Sequence, residues 1–307
     1  MRRYRPQVWS DLGAGTCPAE ASVPSGSSAR RLTEQVLAEL REVAEVSAIL
    51  GIGSQTIGTA DQASDLDLVV ICDQRIPPAA DRLARIHRYT DDDAINVFDD
   101  RTWEFGTTDD FALDGLEVCT SYYERADIFT KLAAIQGGRY ERTGFYYPLG
   151  FVAALASAHL LYDRDHHGAR LRALAGRYPE PLRRQIQQEQ RDLFHYYMNR
   201  LRAAATRRDA YFAYELLGLA MHSLLHLLFA THRVYFRAPK KLAQQLAALP
   251  IADPALLHRE LEWLAQAPND PDTLDRKRDR LRALYRAHAQ DDPGRPRTTQ
   301  GTPGGLP

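Results

Sequence analysis

The sequence contains few cysteines, and their spacing matches neither a set of disulfide bonds nor a metal-binding motif. Cys17, Cys72 and Cys119 are the three cysteines among 307 residues, and they fit neither a disulfide framework nor a ligand motif. Unpaired cysteines are typical of a reducing cytoplasm, so a cytoplasmic location is expected. The N-terminus is polar and basic and lacks an apolar core segment, so no secretory signal is expected.

A long apolar run free of charge is also missing. The most apolar stretch, residues 211–232, contains Glu215, His222 and His226. A membrane span needs about 20 mostly apolar residues, so this stretch predicts a core helix and no membrane partner. The two histidines could share a metal, but Ser223 stands where a zinc protease has glutamate. We interpret them as core or pocket-lining residues. Glu215 is a candidate for orienting an acceptor substrate, with a structural ion pair as the alternative.

The formal net charge of −1 hides an uneven distribution. Residues 1–150 contain 15 lysines and arginines against 24 aspartates and glutamates, whereas the remainder contains 24 against 16. An acidic half joined to a basic half would suit a polyphosphate bound between them. Solvated arginine-rich helices explain the imbalance equally well.

Two aspartates follow a glycine-containing turn in the most informative segment. An apolar strand ends at Gly53 and Ser54, and a second strand then places Asp65 and Asp67 among apolar residues. Side chains alternate along a strand, so both carboxylates share a face, roughly 7 Å apart. They repel each other unless a cation lies between them, and Mg²⁺ accepts such ligands together with substrate phosphates. The turn offers backbone amides to phosphate oxygens. This pattern predicts phosphoryl or nucleotidyl transfer.

With Gly58 in the connection and Ser64 before the first aspartate, the segment resembles the signature of the polymerase-beta-like nucleotidyltransferase superfamily. It is most similar to the small antibiotic adenylyltransferases of the streptomycin and kanamycin types. The resemblance implies two Mg²⁺ ions held by Asp65 and Asp67, with ATP as co-substrate. It assigns nucleotide contacts to Gly53, Ser54 and Ser64. The structural alternative is an acidic surface strand after a tight turn, which would not need apolar neighbours on both sides.

A third carboxylate is expected downstream. Glu117, between Leu116 and Val118, resembles the Leu-Glu-Val of the streptomycin-type enzymes, in which the glutamate is the base for the acceptor hydroxyl. The resemblance therefore implies a catalytic and metal-binding role for Glu117. Asp99 or Asp100 is the competitor, but an aspartate just past a strand is usually a turn residue.

The basic segment that follows the apolar helix resembles an Asn-x-x-Tyr-Phe-x-x-x-Lys-Trp-Leu stretch of uncharacterised relatives. His232 replaces the asparagine and Lys241 replaces the tryptophan. Lysine is a compact point charge suited to a triphosphate, so Lys240 is a candidate for neutralising nucleotide phosphates across a cleft. A solvated start of a helix is the alternative.

The order of predicted elements favours an α+β nucleotidyltransferase domain, with a small mixed sheet and helices, followed by an all-α domain. Strands are predicted near 47–52, 66–72, 95–98 and 116–123, and a turn between helices at 161–168. The predicted units are a disordered extension at 1–27, a catalytic domain at 28–126, a helical substrate-binding domain at 127–289 and a disordered tail at 290–307.

The expected activity is transfer of AMP from ATP to a hydroxyl of a small molecule, antibiotic-like or metabolic, with release of pyrophosphate. The basic second half disfavours a polycationic aminoglycoside. One alternative is a toxin–antitoxin-type enzyme that modifies a protein or tRNA, although Arg191 and His195 are too close for the partner RNase motif. Another is a silent nucleotide-binding regulator. A nucleic-acid acceptor is therefore less favoured but open, and the chain is expected to be a monomer or dimer.

Overall fold

The computed structural model describes residues 27–53, 65–90, 95–99, 107–140, 148–266 and 270–289, without the side chains of 27–29, 148 and 271. The tails predicted to be disordered lie outside these residues, apart from Ser27. The strands are β1 (Val46–Ile52), β2 (Leu66–Cys72), β3 (Asn96–Phe98), β4 (Thr107–Leu113), β5 (Leu116–Glu124) and β6 (His159–Asp163). The helices are α1 (Ser27–Arg41), α2 (Ala79–Ile86), α3 (Arg125–Gln136), α4 (Pro148–Ala156), α5 (His167–Ala175), α6 (Glu180–Arg207), α7 (Ala210–Thr231), α8 (Leu242–Ala247), α9 (Pro254–Gln266) and α10 (Pro271–His288).

The six strands form one mixed sheet in the order β3-β4-β5-β2-β1-β6. Strands β2 and β5 are parallel, and every other neighbouring pair is antiparallel. The central strands β1 and β2 are rich in β-branched and apolar residues and are almost entirely buried, as a strand covered on both faces requires. The predicted α+β arrangement with a small mixed sheet is confirmed.

Two strands were not predicted. Strand β4 forms a hairpin with β5, and β6 pairs with β1 at the edge of the sheet. The prediction of a plain turn at 161–168 is therefore wrong for its first residues, which belong to β6. The turn comes after them, where Asp163 accepts hydrogen bonds from the amides of Gly168 and Ala169 at 2.9 Å and so fixes the start of α5.

Helices cover both faces of the sheet. Helices α1 and α2 pack on one face, around Val36, Leu66 and Val118. Helices α3, α4 and α5 pack on the other, around Leu50 and Val69, and we call this the sheet-side core. The predicted boundary at residues 126/127 stays a prediction. The elements that follow it, from α3 to α5 and including β6, pack against the sheet.

A second hydrophobic core, which we call the helical core, lies between α6, α7, α8, α9 and α10. The 28-residue helix α6 joins the two, because Ile186 lies in the sheet-side core and Phe194 in the helical core. Helix α7 is long and apolar enough to cross a membrane by composition, and 56% of its most apolar window is buried within the protein. Its leucines line the helical core, as expected of a core helix.

Candidate functional site

Asp65 and Asp67 flank the start of strand β2 and are partly buried, whereas Leu66 and Leu68 between and after them are fully buried. The leucines belong to the core beneath α1 and α2. Because strand residues alternate between faces, the two aspartates point toward the opposite face, where the sheet-side core ends. The Asp65 carboxylate contributes to the raised pKa of Asp67, so the two side chains lie close enough to interact.

The backbone of Gly53 lies against the carboxylate of Asp67. Gly53 has φ of +77°, and a Cβ placed on it would lie 2.1 Å from Oδ2 of Asp67. The neighbouring pair of Ile52 with Asp67 in the β1–β2 ladder sets this approach. Glycine is therefore required here for two reasons, the left-handed backbone and the absence of space for a side chain. Ser54, Gly58 and Ser64 lie outside the described residues.

Asp110 is an additional carboxylate on this face. Asp67 pairs with Cys119 across β2 and β5, and Cys119 pairs with Asp110 across β5 and β4. Adjacent strands are about 4.8 Å apart, so Asp67 and Asp110 point from the same row of the sheet with one strand between them. The Cys119 thiol donates a hydrogen bond to Asp110, and the neighbouring carboxylates together with burial raise the pKa of that thiol.

The site concentrates negative charge. The pKa of Asp67 is raised from 3.8 to about 6, chiefly by burial, then by the Asp65 carboxylate and, to a smaller extent, by the Asp110 carboxylate. Lys240 opposes this effect and lowers the pKa. A carboxylate in such surroundings is stabilised as an anion by a nearby cation. The position of Lys240 also brings the C-terminal part of the chain to this face of the sheet.

Glu117 shares the face but lies one row nearer its edge. Leu66 pairs with Val118, so continuing the register by one residue places Glu117 beside Asp65. The Glu117 side chain is exposed. The competitor Asp99 lies on the other side of the sheet, where its carboxylate is 3.6 Å from the guanidinium of the buried Arg82. Asp100 is outside the described residues. Asp99 therefore lies apart from the aspartates of β2, and the catalytic role of Glu117 stays a prediction.

The segment before Lys240 is anchored in both cores. Tyr235 lies in the sheet-side core and its hydroxyl donates to the carbonyl of Arg177 at 2.8 Å, whereas Phe236 lies in the helical core. The next residue passes close to helix α4, because a Cβ on Gly150 would lie 2.4 Å from the carbonyl oxygen of Arg237. These contacts hold the backbone just before Lys240 against the sheet-bearing part of the protein.

The structure does not bring Glu215 to this cluster. Glu215 is exposed on α7, fifteen residues before Ala230, the residue of that helix that reaches the sheet-side core. That separation corresponds to roughly 22 Å along the helix axis. His226 packs edge-on against Phe236, with ring centroids 5.2 Å apart, and burial lowers the pKa of His222. This environment fits the prediction of core or pocket-lining histidines.

A second acidic cluster lies at the other end of β2. Asp73, Asp165 and His167 offer three potential metal-ligand atoms within 4.8 Å of one another. Arginines occupy this cluster, however: Arg164 contacts Asp73 at 2.7 Å, and Arg125 contacts His167 at 2.7 Å. These cations satisfy much of the negative charge that a divalent ion would otherwise neutralise.

Asp110 was not among the predicted site residues, although the sequence contains a signal for the hairpin that places it. Asp114 and Gly115 form a two-residue hairpin loop with φ of 49° and 83°, and Asp-Gly between alternating residues is a strong hairpin signal. Pairing outward from Leu113 and Leu116 would have placed Asp110 opposite Cys119. The polar Thr-Thr-Asp-Asp start of β4 obscured that strand.

No model of a known protein family matches this sequence, and no curated protein matches it. Among solved structures, the chain is similar to the crystal structure of a nucleotidyltransferase-like protein from Exiguobacterium sibiricum. That similarity covers 83% of this chain and 74% of the other, with 14% sequence identity and a TM-score of 0.39. A structural similarity this low does not support a functional assignment, so the interpretation of the site depends on its own residues.

Proposed function

We propose that the protein is a metal-dependent nucleotidyltransferase that transfers AMP from ATP to a hydroxyl of a small molecule and releases pyrophosphate. The observation that carries the proposal is that Asp65, Asp67 and Asp110 share one face of the sheet, with the backbone of Gly53 against the Asp67 carboxylate. Lys240 supplies positive charge to the same place. The resemblance of the Gly-Ser and Asp-x-Asp motifs to nucleotidyltransferases supports the choice of reaction.

The donor set fits Mg²⁺. Hard divalent ions prefer carboxylate oxygens and share their remaining positions with water and phosphate. Asp65 and Asp67 would hold the ions, with Asp110 as a further ligand on the same row of the sheet. When bound, two such ions stabilise the attacking and leaving oxygens of an in-line displacement at phosphorus.

The remaining roles follow from position and charge. The turn that begins at Gly53 would approach the terminal phosphates, and Lys240 would supply positive charge to them. Glu117 is exposed at the edge of the cluster, where an acceptor could reach it, so it would accept the proton of the acceptor hydroxyl. A positioned base of this kind contributes typically 10²–10⁴-fold.

The proposed acceptor is a neutral or acidic hydroxylated compound. Lys240 and the net positive charge of residues 151–307 would repel a polycation, which a typical aminoglycoside is. Glu215 is too far along α7 from the sheet-side core to be assigned to this acceptor from the described contacts, and it stays a prediction from sequence.

The test is incubation of the full chain with α-labelled ATP, Mg²⁺ and a panel of hydroxylated small molecules, tRNA and proteins. We expect label on a small molecule and stoichiometric pyrophosphate. Asp67→Asn should abolish transfer, and Asp73→Asn at the other end of β2 is the matched control. Label on tRNA or protein would replace the acceptor class, and failure to bind Mg²⁺ with ATP would overturn the proposal as a whole.

Asp110 and Glu117 can be separated by the step that each substitution affects. Glu117→Gln should lower kcat and leave Mg²⁺ binding unchanged, because a general base acts in the chemical step. Asp110→Asn should instead weaken Mg²⁺ binding. The opposite pattern would exchange the two roles.

A further inference from the structure

A cavity of about 250 Å³ opens between helices α6 and α10, in the part of the protein that the helical core occupies. Ligand pockets are usually about 300–1,000 Å³. This cavity is slightly smaller, so its ligand would have to be a small molecule. It corresponds to roughly eight water molecules of liquid volume. Its residues take no part in the carboxylate cluster on the sheet. The lining residues are Phe194, His195, Met198, Asn199, Arg282, Tyr285 and Arg286.

The polar groups of the cavity come from matched positions on the two helices. His195 and Asn199 are four residues apart on α6, and Arg282 and Arg286 are four residues apart on α10. Residues at this spacing project from one face of a helix. Each helix therefore presents two polar side chains to the same space, and together they offer guanidinium, imidazole and amide groups.

Aromatic rings form the apolar wall of the cavity. The rings of Phe194 and Tyr285 stack at 4.5 Å with an interplanar angle of 11°, and the His195 ring packs edge-on against Tyr285 at 5.3 Å. Phe194 is fully buried and Tyr285 nearly so. Stacked aromatic rings hold one another in place, so they provide a fixed surface beside the cationic groups.

The charge balance of the cavity favours an anion. Arg282 has one carboxylate neighbour, Asp279 at 3.4 Å, and that pair is largely exposed. Arg286 makes no ion pair among the described residues. The charged side chains that affect His195 are Arg191 and Arg282, which act with burial to lower its pKa, and Asp192, which opposes them. Positive groups therefore exceed negative ones around the opening.

We propose that this cavity is a binding site for a small phosphate-bearing molecule with a planar apolar group, separate from the nucleotidyltransferase site. Two arginine forks and a histidine that converge from two helices match an anion with several equivalent oxygens. The Phe194–Tyr285 wall matches the apolar part of such a molecule. A free phosphate ion shares the first feature and lacks the second.

Phenyl phosphate is a suitable probe, with inorganic phosphate as the second arm. Binding is measured by calorimetry on the full chain in a chelator-containing buffer, with Asp67→Asn as background, so that the carboxylate cluster does not contribute. We expect phenyl phosphate to bind more tightly than phosphate. Arg282→Gln and Arg286→Gln should each weaken it about tenfold or more, as loss of a charged hydrogen bond does.

Arg276→Gln is the matched control, because Arg276 is exposed on the same helix roughly 15 Å from Arg286 along its axis. It should leave the affinity unchanged. Circular dichroism and thermal melts of all three variants confirm folding. The His195 imidazole gives a second readout, since a bound dianion should raise its pKa in an NMR titration assigned with His195→Gln.

Equal affinity of the Arg276 and Arg286 variants would overturn the proposal. So would equal affinity for phenyl phosphate and phosphate, which would reduce the site to a simple anion site. A short RNA that binds through Arg282 and Arg286 while phenyl phosphate does not would assign the cavity to nucleic acid instead.

Discussion

Both ends of strand β2 carry acidic side chains, but they are treated differently by their neighbours. At the far end, Asp73 is contacted by Arg125 and Arg164 and lies near His167. At the near end, the one positive group that affects the pKa of Asp67, among the described residues, is Lys240. The two ends are roughly 20 Å apart along the strand. Arginine side chains form ion pairs with the acidic residues at the far end, whereas at the near end the cation expected to balance the charge is the proposed metal ion.

The same contrast recurs between two consecutive residues of β4. Asp109 is fully buried and forms an ion pair with the buried Arg82, at 3.0 Å. Asp110 points to the opposite face, toward Asp67, and is bound by a thiol. Adjacent aspartates on a strand thus have separate environments because their side chains face opposite sides of the sheet.

Activity should distinguish the two ends of β2 most strongly. We expect Asp67→Asn to reduce nucleotidyl transfer by about 10²–10³-fold or more, the range seen when a group that stabilises transition-state charge is removed. Asp73→Asn should change it little. The measurement is the rate of pyrophosphate release. A larger loss in the Asp73 variant would mean that the functional end has been assigned wrongly.

The free energy of unfolding should depend more on the buried ion pair of Asp109 than on the exposed ion pairs of Asp73. Arg82→Met leaves Asp109 buried without its cation, and breaking one partner of a buried pair costs about 3–5 kcal/mol. Arg164→Met, at the exposed ion pair beside Asp73, should change the free energy of unfolding far less, because exposed ion pairs contribute little. Urea denaturation measures both free energies of unfolding. Because a buried pair can be replaced by apolar residues, Arg82→Met combined with Asp109→Leu should recover much of the loss.

The carboxylate cluster should make the metal-free protein sensitive to pH. The folded pKa of Asp67 is raised from 3.8 to about 6, so its contribution favours folding below pH 4 and is lost as pH rises through 6. The change corresponds to roughly 3 kcal/mol. Asp67→Asn should therefore be more stable than the wild type at pH 8 in chelator, by thermal denaturation.

Addition of Mg²⁺ should narrow that gap, because the ion stabilises the ionised Asp67 of the wild type and not the asparagine. Asp81→Asn, an exposed position on α2, serves as the control for the loss of one negative charge. A wild-type protein whose stability is the same with and without Mg²⁺ would argue against a metal site here.

The smallest expected effect belongs to Lys240, the cation that affects Asp67 among the residues the structure describes. Lys240→Ala should raise the KM for ATP about tenfold, with kcat less affected, because an exposed charge pair with phosphate contributes about 1–2 kcal/mol. Lys131→Ala, on the exposed face of α3, is the matched control. An unchanged KM would leave Lys240 as a solvated residue at the start of α8.

Local patterns in the sequence predicted what depends on neighbours in the chain. The alternation around Asp65 and Asp67 predicted strand β2, and Leu116–Glu124 was recognised by its β-branched and aromatic residues. Strand β6 escaped because it is a short edge strand whose residues are all half-buried, so no alternation marks it. Its partner β1 lies more than a hundred residues earlier.

The cluster itself could be predicted only in part for the same reason. The first two aspartates are two residues apart in the sequence, but Asp110 joins them only through strand pairing across Cys119. Lys240 comes from beyond α7, and its place depends on packing in both hydrophobic cores. Long-range placement of this kind is set by tertiary contacts, which the chain order does not reveal.

Two successive residues, Tyr235 and Phe236, insert into different cores. Consecutive Cα atoms are 3.8 Å apart, so the peptide unit between Tyr235 and Phe236 links the sheet-bearing and helical parts at a fixed distance. A hinge motion between the two parts would have to remove one of these aromatic rings from its hydrophobic core. Entry of substrates is therefore expected to depend on side chains at the edge of the site, and the position of Lys240 relative to the sheet should stay nearly constant during turnover.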